Sequence, residues 1–264
     1  MSNPPERVTI FLVSLGVGFR IGTVTIAERQ EFRLRRGRVI GGKYVVEEPL
    51  GIGWEGEVYR VTERTTGATR AVKLFHPQRN LRDRRLTRYA QKLERLRPCS
   101  IVMQYHHSEP VQVSGQKLNC LVSEFVEGEM LPDYVRRHRG GRLEPFRALH
   151  LVHTLAVGLA EIHDHREYHG DLHAENILVR PRGIFFDVKV LDLYDWAGKS
   201  SEARRDDVVD LVRILFEITG GRPRYAGQPK VVKEIVRGLR RDLILKRFPT
   251  MHRLRRWLET FAWG

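Results

Sequence analysis

The stretch "YVVEEPLGIGWEGEVYRVTERTTGATRAVKLF" (44–75) restricts the fold more than any other part of the chain. It holds three runs rich in β-branched residues, separated by turn signals, the second turn being "RTTGAT" with Gly67. Such a pattern predicts an antiparallel meander. Its first turn carries Gly51, Gly53 and Gly56, and the missing side chains would let backbone N–H groups approach a polyphosphate closely. A dinucleotide-binding fold uses the same glycine spacing, but there a strand runs into a helix. Here the strand pattern "EVYRV" (57–61) follows, so the turn joins two strands. In the third run, "AVKLF", Lys73 sits among apolar neighbours. Taken alone it reads as a surface lysine on an edge strand; if buried, its ammonium requires an anionic partner.

Further along, "HGDLHAENILV" (169–179) places Asp171 and Asn176 five positions apart ahead of a strand-like run, and "VKVLDL" (188–193) brings Asp192 to a strand end. Asp171 and Asn176 in isolation read as a cap or turn. His163, His165, His169 and His173 cluster in sequence, but their spacing fits no common zinc pattern. Helical periodicity marks 145–165, whose Leu149, Val152, Leu155, Val157, Leu159 and Ile162 suit a buried helix. It also marks 86–102, 206–221, which ends at Gly220 and Gly221, and 248–259. The 264 residues suffice for one large domain or two compact lobes.

The motifs "GIGWEGEV" (51–58), "AVK" (71–73), "HGDLHAEN" (169–176) and "VLD" (190–192), in this order, resemble the eukaryotic-type protein kinase family from about Tyr44 to the C-terminus. The resemblance implies an α+β, two-lobe protein-kinase-like fold with a small antiparallel β-rich N-lobe and a mainly helical C-lobe. The expected organisation is a β-rich extension over 1–40, an N-lobe over 41–126 and a C-lobe over 127–264. It implies ATP and Mg²⁺ as cofactors and transfer of the γ-phosphate to a hydroxyl, with a Ser/Thr protein kinase as the reading adopted. Asp171 would orient the acceptor hydroxyl and take its proton; Asn176 and Asp192 would ligate Mg²⁺. Gly51, Gly53, Gly56 and Lys73 would hold phosphates. Backbone groups of Glu124 and Val126 would hold the adenine edge, with Val58, Ala71 and Leu178 as apolar walls. His169 would brace the loop, and Asp207 would anchor it.

Several positions depart from the family pattern. The triplet Asp192–Leu193–Tyr194 lacks the usual Gly, and only a short segment without an APE-like motif separates it from Asp207. An acid should pair with Lys73 from the next helix, but the expected position falls near Tyr89 or Ala90. The nearest acid, Glu94, lies about a turn late. Either the helix shifts and Glu94 pairs with Lys73, the reading adopted, or the pair is missing. Gly170 and His173 also resemble the loop of aminoglycoside and choline phosphotransferases, so a small-molecule kinase is one alternative. A pseudokinase acting as a nucleotide-binding scaffold is another.

The formal net charge of +14, with basic runs at 33–38, 79–88, 136–142 and 246–256, points to an acidic protein substrate or another acidic partner. Nucleic acid fits the charge, but no nucleic-acid-binding motif accompanies it. Two cysteines, Cys99 and Cys120, make neither a disulfide framework nor a zinc pattern and suit a reducing cytoplasm. The run "VTIFLVSLGVGF" (8–19) is too short to span a membrane and is interrupted by Arg20. With "RIGTVTI" (20–26) it reads as a hairpin.

Overall fold

A computed structural model of the chain describes residues 31–53, 55–113, 115–193 and 200–262; the hairpin expected over 8–26 lies outside them. The expected meander forms as β2 (Tyr44–Ile52), β3 (Gly56–Glu63) and β4 (Thr69–Phe75), following a short β1 (Val39–Ile40). Helix α1 (Arg84–Arg95) comes next, then β5 (Tyr105–Val113) and β6 (Gln116–Glu124). The strands make a six-stranded sheet in the order β1-β2-β3-β4-β6-β5, every neighbouring pair antiparallel.

Strand alternation sorts the side chains of this sheet. Tyr59, Val61, Val72 and Leu74 join Ile40, Tyr44, Val46, Val111, Cys120 and Val122 in one buried cluster. Val58, Ala71 and Lys73 therefore share the other face, with Val58 paired directly to Lys73. Residues 31–40, read from the sequence as part of an extension, pack with this sheet. Phe32 belongs to the cluster, Leu34 lies against it, and β1 pairs with β2.

The remainder is mainly helical. It runs through β7 (Glu129–Met130), α2 (Leu131–Arg136), α3 (Pro145–Asp164), β8 (Ile177–Arg182) and β9 (Phe185–Val190). It continues with α4 (Ser200–Ile218), α5 (Gly221–Tyr225), α6 (Lys230–Val236), α7 (Arg241–Arg247) and α8 (Met251–Thr260). Helix α3 buries Leu149, Leu151, Val152, Leu155, Leu159 and Ile162 and forms the centre of the larger core, which takes in α4 and α8. Strands β7, β8 and β9 form a small antiparallel sheet. Its β9 is tied to the segment after α1 by Val190 N–H donating to Ile101 O at 2.8 Å.

Two helices differ from their sequence reading. Helix α1 ends at Arg95 rather than continuing to 102, because Pro98 supplies no N–H and excludes helical geometry just before it. Helix α4 starts at Ser200, ahead of its first apolar residues. The polar run "SSEARR" has no periodicity to reveal it, though its Glu, Ala and Arg favour a helix.

Close packing of α3 on Ile101 yields a test of the core. A Cβ added at Gly158 would lie 2.3 Å from Ile101 Cγ2 and 2.6 Å from its Cγ1. Gly158→Ala gains about 1 kcal/mol in helix propensity, but overpacking costs up to about 3 kcal/mol. The expected net loss of about 2 kcal/mol is checked by urea denaturation; a more stable variant would show that Ile101 moves aside freely.

Candidate active site

The loop from His169 to Asn176 is shaped from beneath by one buried carboxylate. Asp207, in α4 and fully buried, accepts hydrogen bonds from the backbone N–H of His169 at 2.8 Å and of Gly170 at 3.0 Å. His163 Nε2, from α3, lies 2.9 Å from the same carboxylate. Gly170 has φ +85°, a conformation that glycine adopts without strain, and the turn it makes aims successive N–H groups at Asp207. Burial pushes the His169 imidazole below its ordinary pKa, so the ring stays neutral; its Nδ1 accepts from Asp171 N–H at 3.3 Å. These bonds leave the Asp171 carboxylate half exposed, 3.7 Å from His173 Nε2.

Asn176 closes the loop. Its amide nitrogen donates to Asp171 O at 2.9 Å and lies 2.9 Å from His173 Nε2. The Asn176 carbonyl accepts from Leu191 N–H at 2.8 Å, which sets the loop directly beside Asp192. Asp192 has φ +49°, an uncommon conformation for a residue with a side chain. Its Oδ1 lies 2.7 Å from Lys73 Nζ. Hydrogen bonds from Asn176 to Asp171 and from Leu191 to Asn176, with Asp192 next to Leu191 in the chain and paired with Lys73, thus bring together residues drawn from distant parts of the sequence.

Lys73 is buried, and its acid partners are Asp192 and Glu55, the latter at 3.4 Å. Burial works to lower its pKa, but the two carboxylates outweigh it and hold the ammonium above the ordinary lysine value. Burial alone would raise Asp192; Lys73 reverses this and keeps the carboxyl below its usual range. The expected pairing with Glu94 does not form. Glu94 is exposed and bonds Arg97 at 3.1 Å, because it lies on the solvent face of α1. The position facing Lys73 is Tyr89, with its ring centroid 5.0 Å from Nζ.

The three glycines of the first turn serve different ends. A Cβ at Gly51 would meet nothing within 4 Å, and one at Gly53 only Gly56 O at 3.8 Å, so both border open space. At Gly56 a Cβ would lie 2.1 Å from Leu74 O, so this glycine is required for the β3–β4 approach. On the other side, Glu124, Val126 and Leu178 line a cavity of about 580 Å³ with Phe186 and Lys189. Val58 and Ala71 are not among its lining residues. The Glu124 N–H is taken by Gln104 O at 2.9 Å, which leaves its carbonyl as the backbone group it can offer a ligand.

A model of the protein kinase domain matches residues 44–209. The chain belongs to the protein kinase domain family. This kinase domain is 35% identical over 157 residues to a serine/threonine-protein kinase of Myxococcus xanthus, pkn2, covering 58% of this chain and 18% of that protein. It is 27% identical over 224 residues to the serine/threonine-protein kinase PkaA of Streptomyces coelicolor, covering 72% of this chain and 41% of that protein. The chain therefore spans less than half the length of these curated relatives. Among solved structures, the PknI kinase domain of Mycobacterium tuberculosis superposes with a TM-score of 0.62 at 20% identity, over 86% of this chain and 96% of that one. That likeness establishes the two-lobe α+β fold.

The sequence reading of the kinase domain placed Tyr89 at the position facing Lys73, where it lies, but missed Glu55 and the buried Lys92. A signal for Glu55 was present: a carboxylate within a turn meant to approach phosphates is repelled by them unless a cation balances it. Lys92 is 2% exposed, lies over the Tyr168 ring at 4.4 Å and reaches Glu167 at 3.9 Å. A signal for Lys92 was its register on the helix, three residues after Tyr89 and four before Leu96, at the edge of the apolar stripe.

Proposed function

We propose that this kinase domain transfers the γ-phosphate of ATP to a serine or threonine hydroxyl of a protein. The observation that carries this reading is the 2.7 Å contact of Lys73 with Asp192, continued through Asn176 to Asp171. Phosphoryl transfer needs positioning and charge stabilisation more than covalent chemistry from the protein. In this reading the Lys73 ammonium binds phosphate oxygens, and Gly51 and Gly53 let the turn approach them. Glu124 and Val126 offer backbone groups to the adenine edge, with Val58, Ala71 and Leu178 as its walls. Asp171 orients the acceptor hydroxyl and takes its proton.

Asp192 and Asn176 are the residues that would hold Mg²⁺. The donor set fits: Mg²⁺ takes one or two protein oxygens and completes its shell with phosphate and water. The Asn176 amide nitrogen is committed to Asp171 O and His173, which turns its amide oxygen away from them. When bound, the ion's contribution is to neutralise charge on the phosphate oxygens.

The net charge of +14 supports an acidic protein as substrate or partner. Both cysteines are free and buried, which suits the reducing environment of a cytoplasm. Among the described residues no helix is long and apolar enough to cross a membrane.

Incubation with labelled ATP and Mg²⁺, offered either a protein mixture or aminoglycosides, tests the reading by where the label arrives. Label on protein serine or threonine supports it. Label on the aminoglycoside favours a small-molecule kinase, and no transfer with unchanged melting on adding ATP and Mg²⁺ favours a scaffold. Separately, Asp192→Ala is expected to weaken Mg²⁺-dependent ATP binding at least about 10-fold in calorimetric titrations with and without the metal. An unchanged Mg²⁺ response removes Asp192 from the metal site.

A further inference from the structure

We propose that Glu55, in the glycine-rich turn, is the positioning residue for Lys73, in the place where the family's pattern calls for an acid on helix α1. The proposal rests on the reading of Lys73 as the phosphate-binding cation. Helix α1 offers Lys73 no carboxylate: Glu94 points to solvent against Arg97, and Tyr89 presents a ring. Of the two acids that do reach the ammonium, Asp192 is also the proposed metal ligand. A carboxylate that ligates a cation cannot serve as the undivided counter-charge of a lysine. Glu55 then remains as the standing partner.

The surroundings of Glu55 suit that role. Its Oε2 lies 3.4 Å from Lys73 Nζ, and its Oε1 bonds Arg85 Nη1 of α1. One carboxylate thus joins the turn, strand β4 and helix α1. The backbone is held too, since His76 N–H donates to Glu55 O at 2.9 Å, and His76 Nε2 lies 3.3 Å from Gly53 O. Helix α1 makes a firm post for Arg85, because Lys92 and Arg95 both reach Glu167, just ahead of the loop carrying Asp171. With Lys73 and Arg85 both against it, the Glu55 charge is balanced and does not repel a polyphosphate by itself. Lys73 is accordingly set by the position of the glycine-rich turn, and a swing of α1 is not needed to align it.

The test uses Glu55→Gln, which keeps the size of the side chain but removes its charge and one of the two oxygens that accept from Lys73 and Arg85. With folding checked by thermal melting, kcat is expected to fall ~100-fold, the cost of misplacing a catalytic group by about 1 Å, while KM for ATP changes far less. A carboxylate returned from the helix side, in the double variant Glu55→Gln with Tyr89→Glu, is expected to restore most of kcat. A general loss of structure would not be rescued in this way. Wild-type kcat in Glu55→Gln, or a folded double variant that regains nothing, overturns the proposal. A second readout does not depend on catalysis: with Asp192→Asn present in both proteins to remove the competing carboxylate, acylation of Lys73 by acetic anhydride in the nucleotide-free protein, followed by mass spectrometry, is expected to be faster when Glu55→Gln is added. An unchanged acylation rate overturns the proposal. If the unaltered chain transfers no phosphate, the functional reading fails, and the acylation rates alone decide for or against Glu55.

Discussion

Replacing Asp171 by alanine is expected to lower phosphate transfer by about 10³-fold while leaving nucleotide binding close to unchanged. The two effects separate because of how the loop is built. Its shape depends on main-chain groups of residue 171, whose carbonyl accepts from Asn176 and whose N–H donates to His169, and both survive the substitution. The lost carboxylate is half exposed, and Lys73 and Asp192 remain paired without it. Transfer from labelled ATP measures the first effect and calorimetric titration the second. A variant as active as the parent would exclude Asp171 as the base. A variant that no longer binds nucleotide would show that its carboxylate also supports the cleft.

Asp207→Ala is expected to be the most destabilising single change in the helical half. The carboxylate is fully buried and accepts from two backbone N–H groups while facing His163 Nε2. Its removal leaves buried donors without partners, at about 1–3 kcal/mol each, so a loss of about 4 kcal/mol is expected in the unfolding free energy measured by urea denaturation. Asp207→Asn is the control. It preserves volume, but its NH₂ must face one of the backbone N–H groups, so it should recover only part of the loss. Transfer should fall with stability here, because the N–H groups of residues 169 and 170 are what aim Asp171. A variant within about 1 kcal/mol of the parent would mean that the loop finds other acceptors.

Much of this was legible in the sequence, for reasons that differ by element. The meander of β2, β3 and β4 has alternating branched residues and glycine turns, signals carried within each segment. Helix α3 announces itself because one buried helix needs a long apolar period. The anchor of Asp207 beneath the loop followed from the family resemblance; the two backbone donors it takes, the N–H groups of His169 and Gly170, are what the structure adds. The pairing of Lys73 was not legible. Glu94 was chosen for its nearness along α1 rather than for its place on the helix face, and the helix turns that acid outward to Arg97. Glu55 could not be matched to Lys73 by spacing, since the two meet through the bend of the turn and not through any repeat. The early start of α4 was hidden because a polar helix without an apolar stripe has no period to detect.

One buried carboxylate in the sheet bears on how the chain can be shortened. Glu57 is fully enclosed, and its oxygens accept from the N–H of Phe32 at 2.6 Å and of Arg33 at 3.0 Å and from the Tyr59 hydroxyl, which itself accepts from Leu34 N–H at 3.0 Å. A truncation starting at Tyr44, where the family match begins, would remove those backbone donors and open the cavity that Phe32 fills. Glu57 would then be left as a partly orphaned anion at the foot of the strand that follows the glycine-rich turn. A recombinant fragment that retains the sheet therefore has to begin upstream of Phe32.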